Sequence, residues 1–184
     1  MTRALVERAM QGDHDAFARL ATEAFEGLHT IARLMLRDAD LADDAVQETL
    51  VRAWQELPRL RDSDRFEPWL RRILINSCND ERRRYRRVLV HQVVLTGQAE
   101  GGDGWTIVED RERLGRAFKR LPIEQRTVVV LDKYLGLSDA EIAATVGIPL
   151  GTVKSRLRYA MQALRAAIEA DERALDPVPK GHVA

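Results

Sequence analysis

The sequence predicts an all-α protein of two small helical domains joined by a flexible linker, and three observations carry that reading. Apolar residues recur at three- and four-residue spacings through most of the 184 residues, the period of a helix with one buried side. Helix punctuation is dense: Asp13, Pro58, Gly136, Ser138 with Glu141, Gly147 and Pro149 stand where caps, turns and ends belong. The helical pattern breaks clearly between residues 88 and 108, where VLVHQVVL runs into TGQAEGGDG, a composition that suits a linker. The divisions that follow are a first domain 1–87, a linker 88–108, a second domain 109–170 and a tail 171–184.

Composition bounds the function. No apolar run approaches the ~20 residues that span a bilayer, and MTRALVERAMQGDHD lacks a signal-peptide core, so a cytoplasmic protein without membrane insertion is expected. The single cysteine, Cys78, excludes an internal disulfide and lies on the apolar side of its helix, a core position. With no cysteine cluster and only four scattered histidines, no metal or cofactor is expected. The 29 basic and 29 acidic residues balance, but along the chain they are segregated.

In order along the chain, Asp13 caps a long helix whose Phe17, Leu20, Phe25, Leu28, Ile31 and Leu36 are read as core. The next helix, DADLADDAVQETLVRAWQEL, buries Ala42, Val46, Leu50, Ala53, Trp54 and Leu57. On its other side Asp40, Asp44 and Glu48 fall at i, i+4, i+8, with Asp43 and Gln47 beside them. Residues 38–51 hold five acids and no base. Like charges at this spacing each cost an isolated helix ~0.2–0.5 kcal/mol, which a basic partner would offset. Using Asp40, Asp44 and Glu48 as a metal-dependent nuclease site would need further converging ligands that the sequence does not supply, so no catalytic residue is assigned.

Pro58 ends that helix, and a polar loop with Ser63 or Asp64 as cap leads into WLRRILINSCNDERRRYRR. Seven arginines against two acids lie between Arg71 and Arg87. Leu70, Ile73, Leu74 and Ser77 point one way; Arg72, Asn76, Asn79, Arg83 and Arg86 form a stripe on another side. Arginines and amides with Phe66 and Trp69 nearby suit a nucleic-acid strand with exposed bases, but each aromatic is expected to be mainly core, since burial is the common case for such a side chain. The apolar, β-branched run from residue 88 is compatible with a short strand or a docking segment. Leu114, Phe118 and Leu121 then mark one supporting helix, and IEQRTVVVLDKYL a second that ends at Gly136.

The stretch LSDAEIAATVGIPLGTVKSRLRYAMQAL reads as a helix-turn-helix. Ser138 and Glu141 form a capping box, so the first helix starts near Asp139; Gly147 supplies the turn, and Pro149 suits the first turn of the second helix. On that helix Val153, Leu157, Ala160 and Leu164 share the packing face, opposite Gly151, Ser155, Arg158 and Gln162. From Leu150 to Ile168 there are four basic residues and no acid, which suits a phosphate-lined groove. Thr152, Lys154, Ser155, Arg156 and Arg158 are the candidate DNA contacts.

The order of these parts resembles the sigma-70 family of bacterial RNA polymerase sigma factors, in its small extracytoplasmic-function (ECF) group. The resemblance covers roughly residues 12–87 and 110–165. By that resemblance, DADLADDAVQETLVRAW docks on core RNA polymerase through Asp40, Asp43, Asp44, Gln47 and Glu48. RFEPWLRRILINSCNDERRRYRR opens and reads the −10 element through Phe66, Trp69, Arg72, Asn76, Asn79, Arg83 and Arg86. LPIEQRTVVVLDKYLGLSDAEIAATVGIPLGTVKSRL reads the double-stranded −35 element. The resemblance further implies an anti-sigma factor as partner and a linker that threads towards the RNA exit channel. Glu67 and Pro68 depart from the pattern, in the loop that would hold a flipped promoter base. The alternative from the residues alone is a stand-alone helix-turn-helix regulator with an N-terminal sensor or dimerisation domain; binding of core polymerase by residues 1–90 separates the two.

Overall fold

A computed structural model describes residues 3–93 and 109–175. Among these, the regular elements are all helical: α1 (Arg3–Met10), α2 (His14–Leu36), α3 (Ala39–Glu56), α4 (Phe66–Val93), α5 (Glu109–Arg120), α6 (Ile123–Val129), α7 (Asp139–Val146) and α8 (Leu150–Leu175). The glycine-rich stretch 94–108 and the last nine positions, 176–184, lie outside the described residues. Where a strand was an option from residue 88, the chain instead extends α4 to Val93; adding residues to an existing helix is easy compared with starting a new element.

The first half is a bundle built on α2, α3 and α4. Asp13 accepts a hydrogen bond from the Ala16 amide (2.9 Å) and so starts α2, which buries Leu20, Leu28, Ile31 and Leu36. Phe25 departs from the core reading: it is 45% exposed. A single residue, Arg37, turns the chain from α2 into α3 with φ 59 and ψ 28, and Asp38 at once caps α3 by accepting from Leu41 N (3.0 Å). Ala42, Ala45 and Ala53 on α3 are fully buried, and their small side chains let α3 approach α4 closely. The facing residues Leu70, Ile73, Leu74, Ser77 and Cys78 on α4 are buried as the sequence indicates. Burial pushes the Cys78 thiol up to about 12, which leaves it unreactive at neutral pH.

Two local features differ from the sequence reading. The loop cap is Asp62, which accepts from Asp64 N (3.0 Å), rather than Ser63 or Asp64. Helix α1 has too few turns for periodicity to reveal it; packing of Val6 and Ala9 into the shared core holds it, and Arg3, which pairs with Glu7 within the helix (2.7 Å), ties it to Asp64 (3.4 Å).

The second half packs α8 across α5 and α6, with Ala117, Leu121, Val129, Ala160 and Leu164 buried between them. Leu114, read as part of the apolar face of α5, is 45% exposed. After Val129 the helix widens: Leu135 N bonds to Val130 O (3.2 Å), five residues back, a π-turn. Gly136 then takes φ 66 and ends the run. The halves also touch, α6 and the π-turn lying against α2, and α7 against α4. Val128, Val130, Leu131, Ile142 and Val153 thereby join the core of the first half.

Candidate functional surfaces

The acidic side of α3 is exposed at Asp40, Asp43, Asp44 and Gln47 and half-buried at Glu48. Two of its acids are already held within the fold. His29 on α2 meets Asp43 at 2.8 Å, and Arg52 reaches Glu48 at 2.6 Å and Asp80 of α4 at 3.0 Å. Those bonds, to Glu48 first and then Asp80, hold the Arg52 guanidinium pKa above its ordinary value. The row is therefore partly a clasp between α2, α3 and α4, leaving Asp40 and Asp44 as its outward charges.

Sequence reasoning missed the apolar part of this face. Val51 is 52% exposed and, at 100° per residue, falls between Asp40 and Asp44 on the helix surface. Phe25 stacks on His29 with ring centroids 5.9 Å apart, which extends the patch onto α2. An exposed valine among acids was legible from the period alone; the Phe25 contribution depends on how α2 lies against α3. Apolar residues inside a polar rim are the composition of a protein docking surface. Neither His14 nor His29 belongs to a metal cluster: His14 packs on Trp54 at 4.4 Å, and the described residues contain no group of three potential ligands.

On α4, Arg72, Asn76, Arg83 and Arg86 are exposed and Asn79 half-buried, one continuous stripe along the helix. Phe66 is not on the surface with them. It is 3% exposed and packs beside the half-exposed Trp69 at 5.8 Å, so Trp69 is the aromatic nearest to hand for stacking. The stripe also meets the second half: a Cβ on Gly147 would lie 4.0 Å from Arg72 Nη2.

The helix-turn-helix forms as its residues dictate. Glu141 N donates to Ser138 Oγ (3.3 Å) and Ser138 N to Glu141 Oε2 (2.8 Å). A further bond from the Ser138 hydroxyl (2.7 Å), and after it the one from Ser138 N, hold the Glu141 carboxyl below its usual range, Arg71 of α4 adding a smaller pull. Gly147 takes φ 73, the left-handed turn conformation that glycine tolerates. Pro149 stands one position earlier than expected, its carbonyl accepting from Val153 N (3.2 Å) while α8 itself begins at Leu150. Lys154 and Arg158 are exposed; Thr152, Ser155 and Arg156 are half-buried. Ser155 Oγ donates to Thr152 O (3.0 Å). Arg158 lies 4.9 Å over the Tyr159 ring and donates to its hydroxyl at 3.3 Å. Tyr159, itself 52% exposed, is a surface aromatic that the sequence reading passed over.

Known families account for both halves. The Sigma-70 region 2 model matches residues 21–88 and the Sigma-70, region 4 model residues 111–164. The ECF RNA polymerase sigma factor SigM of Mycobacterium tuberculosis is 36% identical over 153 residues, covering 83% of this chain and 76% of that one. The chain belongs to the ECF sigma factors of the sigma-70 family.

The sigma factor is also 40% identical to SigL of the same organism over 136 residues, 72% of this chain and 77% of SigL. Among solved structures, that of CnrH in complex with the cytosolic domain of CnrY aligns at TM-score 0.63 and 31% identity, over 92% of this chain and 97% of the other. As an RNA polymerase sigma factor the protein directs promoter-specific transcription. The stand-alone regulator reading gives way, because the first half is itself sigma region 2. No helix among the described residues is long and apolar enough to cross a membrane.

Proposed function

We propose that the acidic face of α3 docks on core RNA polymerase, that the α4 stripe holds the separated −10 strand, and that the first turns of α8 read the −35 element. The observation that carries this reading is the segregation of charge by surface: Asp40 and Asp44 around exposed Val51 on one helix, arginines and amides on the next. Asp43, Gln47 and Glu48 complete the polymerase face, with Phe25 as its apolar extension. Arg72, Asn76, Asn79, Arg83 and Arg86 contact the −10 strand, Trp69 stacks, and Phe66 supports it from the core. Thr152, Lys154, Ser155, Arg156 and Arg158 face the −35 duplex.

In this reading residues 1–87 are the polymerase and −10 module, 109–170 the −35 module, 88–108 the linker and 171–184 the tail. The factor acts in the cytoplasm, performs no catalysis of its own and needs no metal. An anti-sigma factor holds it inactive; in support, the similar CnrH is itself held by another protein, in its complex with the cytosolic domain of CnrY.

The test is Asp44→Arg. Reversing an outward charge at the centre of a charge-steered interface should lower affinity for core polymerase at least tenfold, by ~1.4 kcal/mol or more. Circular dichroism and binding of −35 duplex should stay as in the wild type. Unchanged affinity in a titration against core polymerase would overturn the docking assignment.

A further inference from the structure

Arginines from three helices converge where the two halves meet. Arg126 on α6 is 3% exposed, and its Nε has no hydrogen-bond partner. Arg82 of α4 and Arg37 at the end of α2 both act on it as like charges, and Arg33 acts in the same sense on Arg37. A Cβ on Gly115 of α5 would lie 3.7 Å from Arg37 Nη2, so the guanidinium of Arg37 also borders the second half. Burial above all lowers the Arg126 pKa to about 10, with the two neighbouring arginines adding to the effect and exposed Glu124 opposing it. It still carries its charge at neutral pH. None of Arg33, Arg37, Arg82 and Arg126 is in a salt bridge among the described residues.

Buried cations are ordinarily paired, because taking a charge out of water costs far more than a neutral contact returns. Three guanidinium groups that act on one another as like charges, opposed by exposed Glu124 rather than by a buried carboxylate, present the planar donors that grip an oxyanion with two bonds each. We infer that Arg37, Arg82 and Arg126 form a site for a phosphate-class oxyanion between α2, α4 and α6, and that its occupancy holds the two halves together. The site draws on both halves and exists only while they are packed, so binding and closure favour each other. Closure also keeps Arg72 beside the α7–α8 turn; on the reading proposed above, the anion thus opposes use of the α4 stripe.

The experiment is thermal unfolding of the full chain with millimolar inorganic phosphate against chloride at matched ionic strength, too dilute for general salting effects. Wild type should gain several degrees, and its radius of gyration in solution scattering should fall. Arg126→Met should start from a higher midpoint without phosphate, since the unpaired cation is gone, and should lose the phosphate response. Arg82→Gln, at a half-buried position, carries the same test should Arg126→Met fail to fold. A parallel arm with ADP identifies the source: a larger response than to phosphate assigns a nucleotide, an equal or smaller one the free anion. No response in the wild type, or equal responses in wild type and variants, overturns the site. These outcomes do not depend on polymerase or promoter binding.

Discussion

Lys154 and Arg158 lie one turn apart on α8, both exposed, and their chemistry assigns them different tasks. A guanidinium can grip a guanine edge with two bonds, whereas an ammonium is a point charge suited to phosphate. In the free protein Arg158 rests over Tyr159 at 4.9 Å, so it must leave that ring to reach a base. Arg158→Ala should cost ~1–3 kcal/mol at the cognate −35 element and flatten preference at one base position. Lys154→Ala should weaken every sequence alike and lower the salt slope by about one. Titrations against single-base −35 variants at two salt concentrations check both, and an equal loss on every variant for Arg158→Ala would make it another phosphate contact.

Among elements, α7 shows how a short helix is held by its first turn. It has eight residues, too few to persist alone, and its capping box closes both bonds. The carboxyl of Glu141 sits below its ordinary value of 4.5, chiefly through the Ser138 side chain. A depressed carboxylate stabilises the fold fully above its unfolded value, and that contribution is lost as pH falls through the folded one. Glu141→Gln keeps an acceptor but no charge. Its urea midpoint should therefore fall less steeply than that of the wild type between about pH 5 and about pH 3, and parallel profiles would show that the charge contributes nothing. The clasp between α3 and α4 works on similar terms, with Arg52 shared by Glu48 and Asp80. A partner that takes Glu48 must compete with Arg52 for it.

At the scale of the whole molecule, the two halves share a core. Leu131, on the π-turn, is fully buried in the cluster that holds Leu28 and Leu74, so it belongs to both. Leu131→Ala should cost ~2–5 kcal/mol and lower a single calorimetric transition as one. Two separating transitions in the wild type would show instead that the halves unfold independently. The same packing buries Arg126 and brings Arg72 beside Gly147, so surfaces assigned to nucleic acid lie close to the junction.

Helices, caps and charge faces could be read from the chain because each depends on neighbours within a turn or two. Ser138 with Glu141, Gly147, the row from Asp40 to Glu48 and the stripe from Arg72 to Arg86 are all local patterns. What escaped depends on elements distant in sequence: the exposure of Phe25 and Leu114, the capture of Asp43 by His29 and of Asp80 by Arg52, and the unpaired burial of Arg126. Helix α1 escaped for a related reason, since eight residues show too little period and only contact with the bundle holds them. Periodicity states which side of a helix is apolar, but which other helix covers that side, and which charges are trapped when it does, follows only from packing in three dimensions.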